Sequence, residues 1–166
     1  MPQVDTVEQA EEVVRHAKYP PQGKRGVAVR RPHSVYARVP DTAAYLQQAN
    51  RDTFIAVQAE TRLAIDNAEA IAAVEGVDCV FVGPYDLSVD LGFPGQLDHP
   101  EETACIDRML AACQKQGCIG GILWFDAEQL KRWIGKGMRF VVSSSDVSLL
   151  ADAALASVTD IKGCLG

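Results

Sequence analysis

Two acidic residues each close an apolar run of strand length. The run Phe54 to Ala59 (FIAVQA) passes into Glu60-Thr61, and Cys79 to Val82 (CVFV) passes into Gly83-Pro84-Tyr85-Asp86. In parallel α/β sheets this carboxyl edge is where ligands bind. If the two strands are neighbours, roughly 4.8 Å apart, Glu60 and Asp86 can aim at one shared point above the sheet. Two hard oxygen ligands, with the other positions left to water and a bound molecule, suit Mg²⁺ or Mn²⁺. Each acid also has a plainer use: Glu60 can cap the helix beginning near Arg62, and Asp86 can cap a short turn. Gly83 lets the backbone approach a ligand with no Cβ in the way, and Pro84 fixes the turn. The N–H groups of Tyr85 and Asp86 then project outward, where they can meet an anion such as a carboxylate.

Other chemistries find less support in the residues. His16, His33 and His99 show no metal-binding spacing, and the five cysteines lack any CxxC pair, so the thiols read as reduced and the location as cytoplasmic. Cys79 starts a buried strand with no histidine in pattern, which argues against a cysteine nucleophile. Lys and Arg total 16 against 22 acidic residues, so no footprint for nucleic acid is present. Residues 1–20 carry four acids and no apolar block, unlike a signal peptide, and no run is long enough to span a membrane.

The elements that position the two acids follow from the pattern. Two more apolar runs, Ile119 to Leu123 and Phe140 to Ser143, join the first two as strands, with Pro2-Gln3-Val4 as a further stub. Continuous apolar runs suit parallel strands covered on both faces. Helices are expected over Thr6 to Lys18, Asp41 to Arg51, Arg62 to Val74, Pro100 to Gln116, Ala127 to Lys136 and Asp146 to Ser157. Thr6 and Gln9 have capping-box spacing, and Asp41 and Asp126 are N-cap candidates. Pro20 to Pro40 reads as a long loop with at most one short strand. Strand–helix alternation in a single domain spanning 1–166 gives an α/β protein of about five βα units. That is a small open sheet or part of a (β/α)8 TIM barrel, which takes about 250 residues when complete. A flavodoxin-like sheet would need a glycine loop after its first strand, and none is present.

The string GVDCVFVGPYDLSVDLGFPGQLDHP, with VQAET and YPPQGKRG upstream and RFVVSSSDVSLL downstream, closely resembles the divalent-metal-dependent class II aldolases of the HpcH/HpaI type. The resemblance implies a partial (β/α)8 barrel lacking its first three strands, with Met1 to Thr6 matching the end of the fourth strand. It implies cleavage and condensation of 2-oxo acids through a pyruvate enolate, with an aldehyde as the other partner and Mg²⁺, Mn²⁺ or Co²⁺ as cofactor. Glu60 and Asp86 carry over as metal ligands, and Gln58 as a residue that contacts the metal-bound oxyacid or its waters. Gly83, Pro84, Tyr85 and Asp86 form the substrate platform, the amides of Tyr85 and Asp86 holding the carboxylate. No Schiff-base lysine is needed.

The catalytic His–Asp pair and the pyruvate-anchoring Arg of such enzymes fall in strands that match no position here, so the catalytic residues are left unassigned. Where relatives carry an arginine before an aromatic residue, this chain has Val35-Tyr36. His33 lies in the loop that borders the site in relatives and reads as a solvated loop residue, while His99 reads as packing or capping near Pro100. The resemblance also implies a homo-oligomer, with Asp146 to Leu165 available for exchange between subunits. A second reading is a truncated, non-catalytic remnant that binds metal or a 2-oxo acid, or that associates with a full-length relative.

Overall fold

The computed structural model describes residues 1–164. Four parallel strands, β1 (Ala56–Ala59), β2 (Cys79–Val82), β3 (Ile119–Leu123) and β4 (Phe140–Val142), form one sheet in the order β1-β2-β3-β4. Spatial order thus equals chain order. A doubly wound sheet reverses direction at a switch point, whereas a barrel wall advances one strand at a time. This is therefore an α/β fold with the architecture of a partial (β/α) barrel.

Among the described residues the helices are α1 (Val7–Ala17), α2 (Thr42–Asp52), α3 (Arg62–Asp66), α4 (Ala68–Ala72), α5 (Pro84–Asp90), α6 (Pro100–Gln116), α7 (Ala127–Lys136) and α8 (Asp146–Gly163). One sheet face, carrying Val57, Ala59, Val80, Val82 and Ile122, packs into the main core with Ile71 of α4 and Ile106, Met109 and Leu110 of α6. Apart from the small Ala59, each of these apolar side chains stabilises the fold by about 1.5–3 kcal/mol when fully buried. The expectation of strands covered on both faces holds for β2, whose four residues are all buried, but not for β1 or β4. The opposite face carries Gln58, Phe81, Gly121 and Phe140 in register across the four strands. Aromatic contacts line it, Phe81 to Phe140 at 5.8 Å and Phe140 to Phe54 at 5.3 Å between ring centres.

The fifth βα unit begins irregularly. Val4 N–H donates to the Gln58 carbonyl at 3.0 Å and Gln58 N–H to the Met1 carbonyl at 2.8 Å, so residues 1–4 lie along β1. No regular strand forms there because Gln3 is left-handed (φ 52°) and turns its N–H away from the ladder, onto the Glu60 carboxylate. β1 itself starts at Ala56, not Phe54, since Ile55 N–H is taken by the Asp78 carboxylate at 2.7 Å.

Caps at Thr6 (with Gln9), Asp41 and Asp126 form as expected. The helix expected over Arg62 to Val74 is instead two short ones, broken at Asn67, whose Nδ2 donates to the Asp5 carbonyl at 2.7 Å. Tying Asn67 to the chain before α1 pulls its backbone to ψ 0°, out of helical geometry. The Pro20 to Pro40 loop contains no strand, only a short 3-10 turn at Pro32–Ser34. α8 runs past Ser157 to Gly163 and buries none of its residues; Leu165, the last residue of the segment expected to exchange between subunits, lies outside the described residues.

Three buried polar arrangements stand out. Lys18 donates its ammonium to the carbonyls of Asn50 and Thr53 at 2.7 and 2.6 Å, closing the C-terminal end of α2. Asn50 pairs both ways with the Tyr19 backbone, accepting at 2.7 Å and donating at 2.9 Å. Glu102, in the first turn of α6, is fully buried and neither carboxyl oxygen has a partner. Burial, and secondarily the charge of Asp98, pushes its pKa up to about 7. The protein's two tryptophans, Trp124 just after β3 and Trp133 in α7, are both buried, 6.3 Å apart between ring centres.

Candidate functional site

β1 and β2 are hydrogen-bonded neighbours, with Ala59 level with Val82. Glu60 and Gly83 therefore leave the sheet side by side at its carboxyl edge. Glu60 is nearly sealed from solvent, while Asp86 is exposed in the first turn of α5. The two acids thus sit beyond adjacent strands, as the apolar runs predicted.

Neither acid is consumed as a cap. α3 is capped by Thr61, whose hydroxyl oxygen accepts from Ala64 N–H at 3.0 Å while its proton goes to Asp5 at 2.6 Å. Glu60 is thereby released to face the open side of the sheet, the side of Gln58. Its Oε1 accepts from Gln58 Nε2 at 2.8 Å and its Oε2 from Gln3 N–H at 3.0 Å. Those two donors fix the carboxylate plane and leave each oxygen a further lone pair. α5 has Gly83 as N-cap, with no side-chain capping bond, and Asp86 in its first turn.

The segment from Pro84 is a helix, α5, where the sequence predicted only a turn. The consequence for the amides is the same. Pro84 sits at the start of the helix, and Leu87 N–H is the one that returns to the Gly83 carbonyl, at 3.0 Å. Tyr85 and Asp86 N–H lie in the first turn, where no intrahelical acceptor exists. Tyr85 is half-exposed and meets Phe125, from the loop after β3, edge to face at 6.3 Å between ring centres. Pro84 is buried beneath this rim.

Gly83 has a use the sequence reading placed elsewhere. A Cβ at residue 83 would stand 2.5 Å from Glu60 Oε1 and 2.9 Å from its Cγ, so the space saved by the glycine holds the Glu60 carboxylate itself. Burial raises the Glu60 pKa; the Gln3 hydrogen bond pulls it down, and the negative charge of Asp86 pushes it up again. A cation held by both carboxylates would relieve that repulsion. The donor set fits a hard divalent ion: two carboxylates, one buried and pre-oriented, one open to solvent. Among the described residues no third His, Cys, Asp or Glu joins them.

His33 lies against Tyr45 of α2, 6.2 Å between ring centres, in an exposed loop. His99 caps α6 through Nδ1 and stacks on Phe93, so its expected packing and capping place is where the structure has it. The residues that sequence reasoning missed are Gln3, Thr61 and Phe125. Thr61 was findable, because a threonine directly before an apolar helical run is an N-cap signal. Gln3 acts through its backbone and Phe125 through packing, and neither leaves a trace in residue type.

Residues 1–153 match the family model described as HpcH/HpaI aldolase/citrate lyase. The chain is 41% identical over 153 residues to the 5-keto-4-deoxy-D-glucarate aldolase of Klebsiella pneumoniae, covering 92% of this chain and 59% of that one. It is 43% identical over 156 residues to the 4-hydroxy-2-oxo-heptane-1,7-dioate aldolase of Escherichia coli, covering 93% and 58% respectively. Its fold superposes on the crystal structure of an HpcH/HpaI aldolase from Desulfitobacterium hafniense with a TM-score of 0.89 at 36% identity, over 98% of this chain and 62% of that one. The chain spans less than two thirds of the length of each.

Proposed function

Because the chain belongs to the HpcH/HpaI aldolase/citrate lyase family, we propose that it acts in divalent-metal-dependent aldol chemistry, splitting a 4-hydroxy-2-oxo acid into pyruvate and an aldehyde and catalysing the reverse condensation. One observation carries the proposal. Glu60 and Asp86 stand beyond neighbouring parallel strands, the first seated over Gly83 and feeling the charge of the second.

Glu60 and Asp86 would hold the ion, Mg²⁺, Mn²⁺ or Co²⁺. When bound, such an ion supplies Lewis-acid polarisation of the keto and carboxylate oxygens of the 2-oxo acid. The chain's own groups do the rest of the positioning. Gln58 and the Gln3 N–H hold the Glu60 carboxylate in one orientation. The Tyr85 and Asp86 amides offer two donors to the substrate carboxylate, over the turn that Gly83 and Pro84 shape. Tyr85 and Phe125 form an aromatic rim that limits water at the reacting carbon. Lys18, the buried lysine, has its ammonium on two carbonyls and is not free to form a Schiff base. The remnant reading is not favoured, since the relatives at 41% and 43% identity are aldolases by name.

A homo-oligomer and a cytoplasmic location belong to the same proposal. α8 presents Val147, Leu150, Leu155 and Ile161 to solvent, which a second copy would cover, and all five cysteines are free. No helix among the described residues is long and apolar enough to cross a membrane. The test supplies the chain with Mn²⁺ and a 4-hydroxy-2-oxo acid and follows pyruvate through a coupled lactate dehydrogenase. Metal-dependent release that disappears in Glu60→Gln is the expected result; no release, with Mn²⁺ binding indifferent to both Glu60→Gln and Asp86→Asn, would overturn it.

A further inference from the structure

At the opposite, amino edge of the sheet, α6 ends in a turn that places two thiols together. Gly117 is left-handed (φ 70°), Cys118 N–H donates to the Cys113 carbonyl at 2.9 Å, and Gly117 N–H reaches back to the Gln114 carbonyl at 3.4 Å. This paired pattern is the Schellman motif, which brings the side chains at its first and last positions into contact. Those positions hold an apolar pair in most helices. Here both are cysteines, so the turn sets two thiols at its paired positions.

The two thiols are not equivalent. Cys113 is fully buried, with its Sγ 3.5 Å from Met109 Sδ, whereas Cys118 is half-buried and so open to a small reagent. The nearness of the two thiols lowers the pKa of Cys118 and raises that of Cys113. Asp78 opposes that lowering, and the buried Cys79 thiol, pushed up to about 12 by burial, stays neutral. The remaining thiols lack this arrangement: Cys105 is buried elsewhere on α6, and Cys164 is exposed beyond α8.

We propose that Cys113 and Cys118 form an oxidisable dithiol, in which hydrogen peroxide is the oxidant, Cys118 the attacking sulfur and Cys113 the resolving one. The Cys118 sulfur takes one oxygen as the peroxide O–O bond breaks, giving a sulfenic acid and one water. The Cys113 sulfur then attacks the Cys118 sulfur, the S–O bond breaks, and a second water leaves as the disulfide forms. Across both steps the two thiols lose two electrons and two hydrogens, and the peroxide becomes two waters. The closed ring would lock the α6-to-β3 junction. It lies at the far end of the strands from Glu60 and Asp86, so the inference stands whether or not the aldolase reading does.

Trypsin separates the two residues, Cys113 falling in peptide 109–115 and Cys118 in peptide 116–131. The folded chain is treated with stoichiometric hydrogen peroxide, free thiols are alkylated, and the intact mass and peptide map are read. The expected result is the loss of two alkylation sites and two hydrogens per chain, with peptides 109–115 and 116–131 linked and the link lost under dithiothreitol. In Cys113→Ser, Cys118 should stop at the sulfenic acid and be captured by dimedone. Full alkylation of both residues after peroxide has oxidised Cys164 would overturn the proposal. So would a link from Cys118 to Cys79. Both readouts come from the parent chain, so they hold even where a variant fails to fold.

Discussion

Replacing Gly83 by alanine tests the proposed site at its tightest point. The residue sits at φ −99° and ψ 96°, a conformation alanine adopts freely, so the backbone exacts no penalty. The steric effect is confined to one neighbour. The new Cβ would meet Glu60 Oε1 at 2.5 Å, Cγ at 2.9 Å and Cδ at 3.1 Å, against a comfortable separation of about 3.5–4.0 Å. The carboxylate must therefore retreat by about 1 Å, which breaks its fit to the Gln58 and Gln3 donors. Overpacking of this kind costs about 1–3 kcal/mol of stability. Displacement of a ligand from its supports costs about 10–100-fold in metal affinity. Titration calorimetry with Mn²⁺ on the parent, Gly83→Ala and Glu60→Gln reads the second figure, and circular dichroism confirms that each variant is folded. A Gly83→Ala protein that binds Mn²⁺ as the parent does, while Glu60→Gln does not bind, would refute the idea that the glycine exists to seat this carboxylate.

Three further expectations follow from the buried polar groups. Asp86→Asn removes a like charge facing Glu60, so the Glu60 carboxyl should titrate at lower pH, read from its ¹³C shift; an unchanged midpoint would place the two acids out of reach of each other. Glu102 has its folded pKa raised to about 7 from 4.5, so the folded state holds its proton more tightly than the unfolded chain. Its stabilising effect is complete below about pH 4.5 and is lost as pH rises through about 7, so Glu102→Met should gain about 3 kcal/mol more at pH 8 than at pH 4 in urea melts. A gain independent of pH would show that the carboxyl does not titrate there. Asn50→Ala leaves the Tyr19 N–H without its partner, while the Tyr19 carbonyl keeps the Gly23 N–H, and should cost about 1–3 kcal/mol, against nearly nothing for the exposed Gln47→Ala.

The parts of this fold legible in the sequence are those set by periodicity and by strong stop signals. β2, β3, α6 and α7 have the bounds their apolar runs and flanking Gly, Pro and Asp residues imply. The break at Asn67 was not legible, because it is made by a hydrogen bond to Asp5, far away in the chain. α5 was hidden by its own composition, since Gly83-Pro84 reads as a turn until the register shows proline opening a helix. Glu60 and Asp86 were visible because strand ends expose residue type directly. The seat beneath Glu60 was not, because it depends on β1 and β2 leaving the sheet side by side. The pairing of positions 113 and 118 lacks the familiar spacing of a redox motif and emerges only once Gly117 reverses the chain.

The placement of both indoles decides what their light can report. Trp124 and Trp133 share one pocket between the end of β3 and α7. Intrinsic emission will thus follow the fate of that corner alone, and fraying of α1, α2 or the long arginine-rich loop will pass unseen at tryptophan wavelengths. Tyr19 and Tyr45, lodged by that loop and α2, are the natural optical sentinels for the other side, so a melt recorded at both wavelengths separates concerted unfolding from two halves letting go in turn.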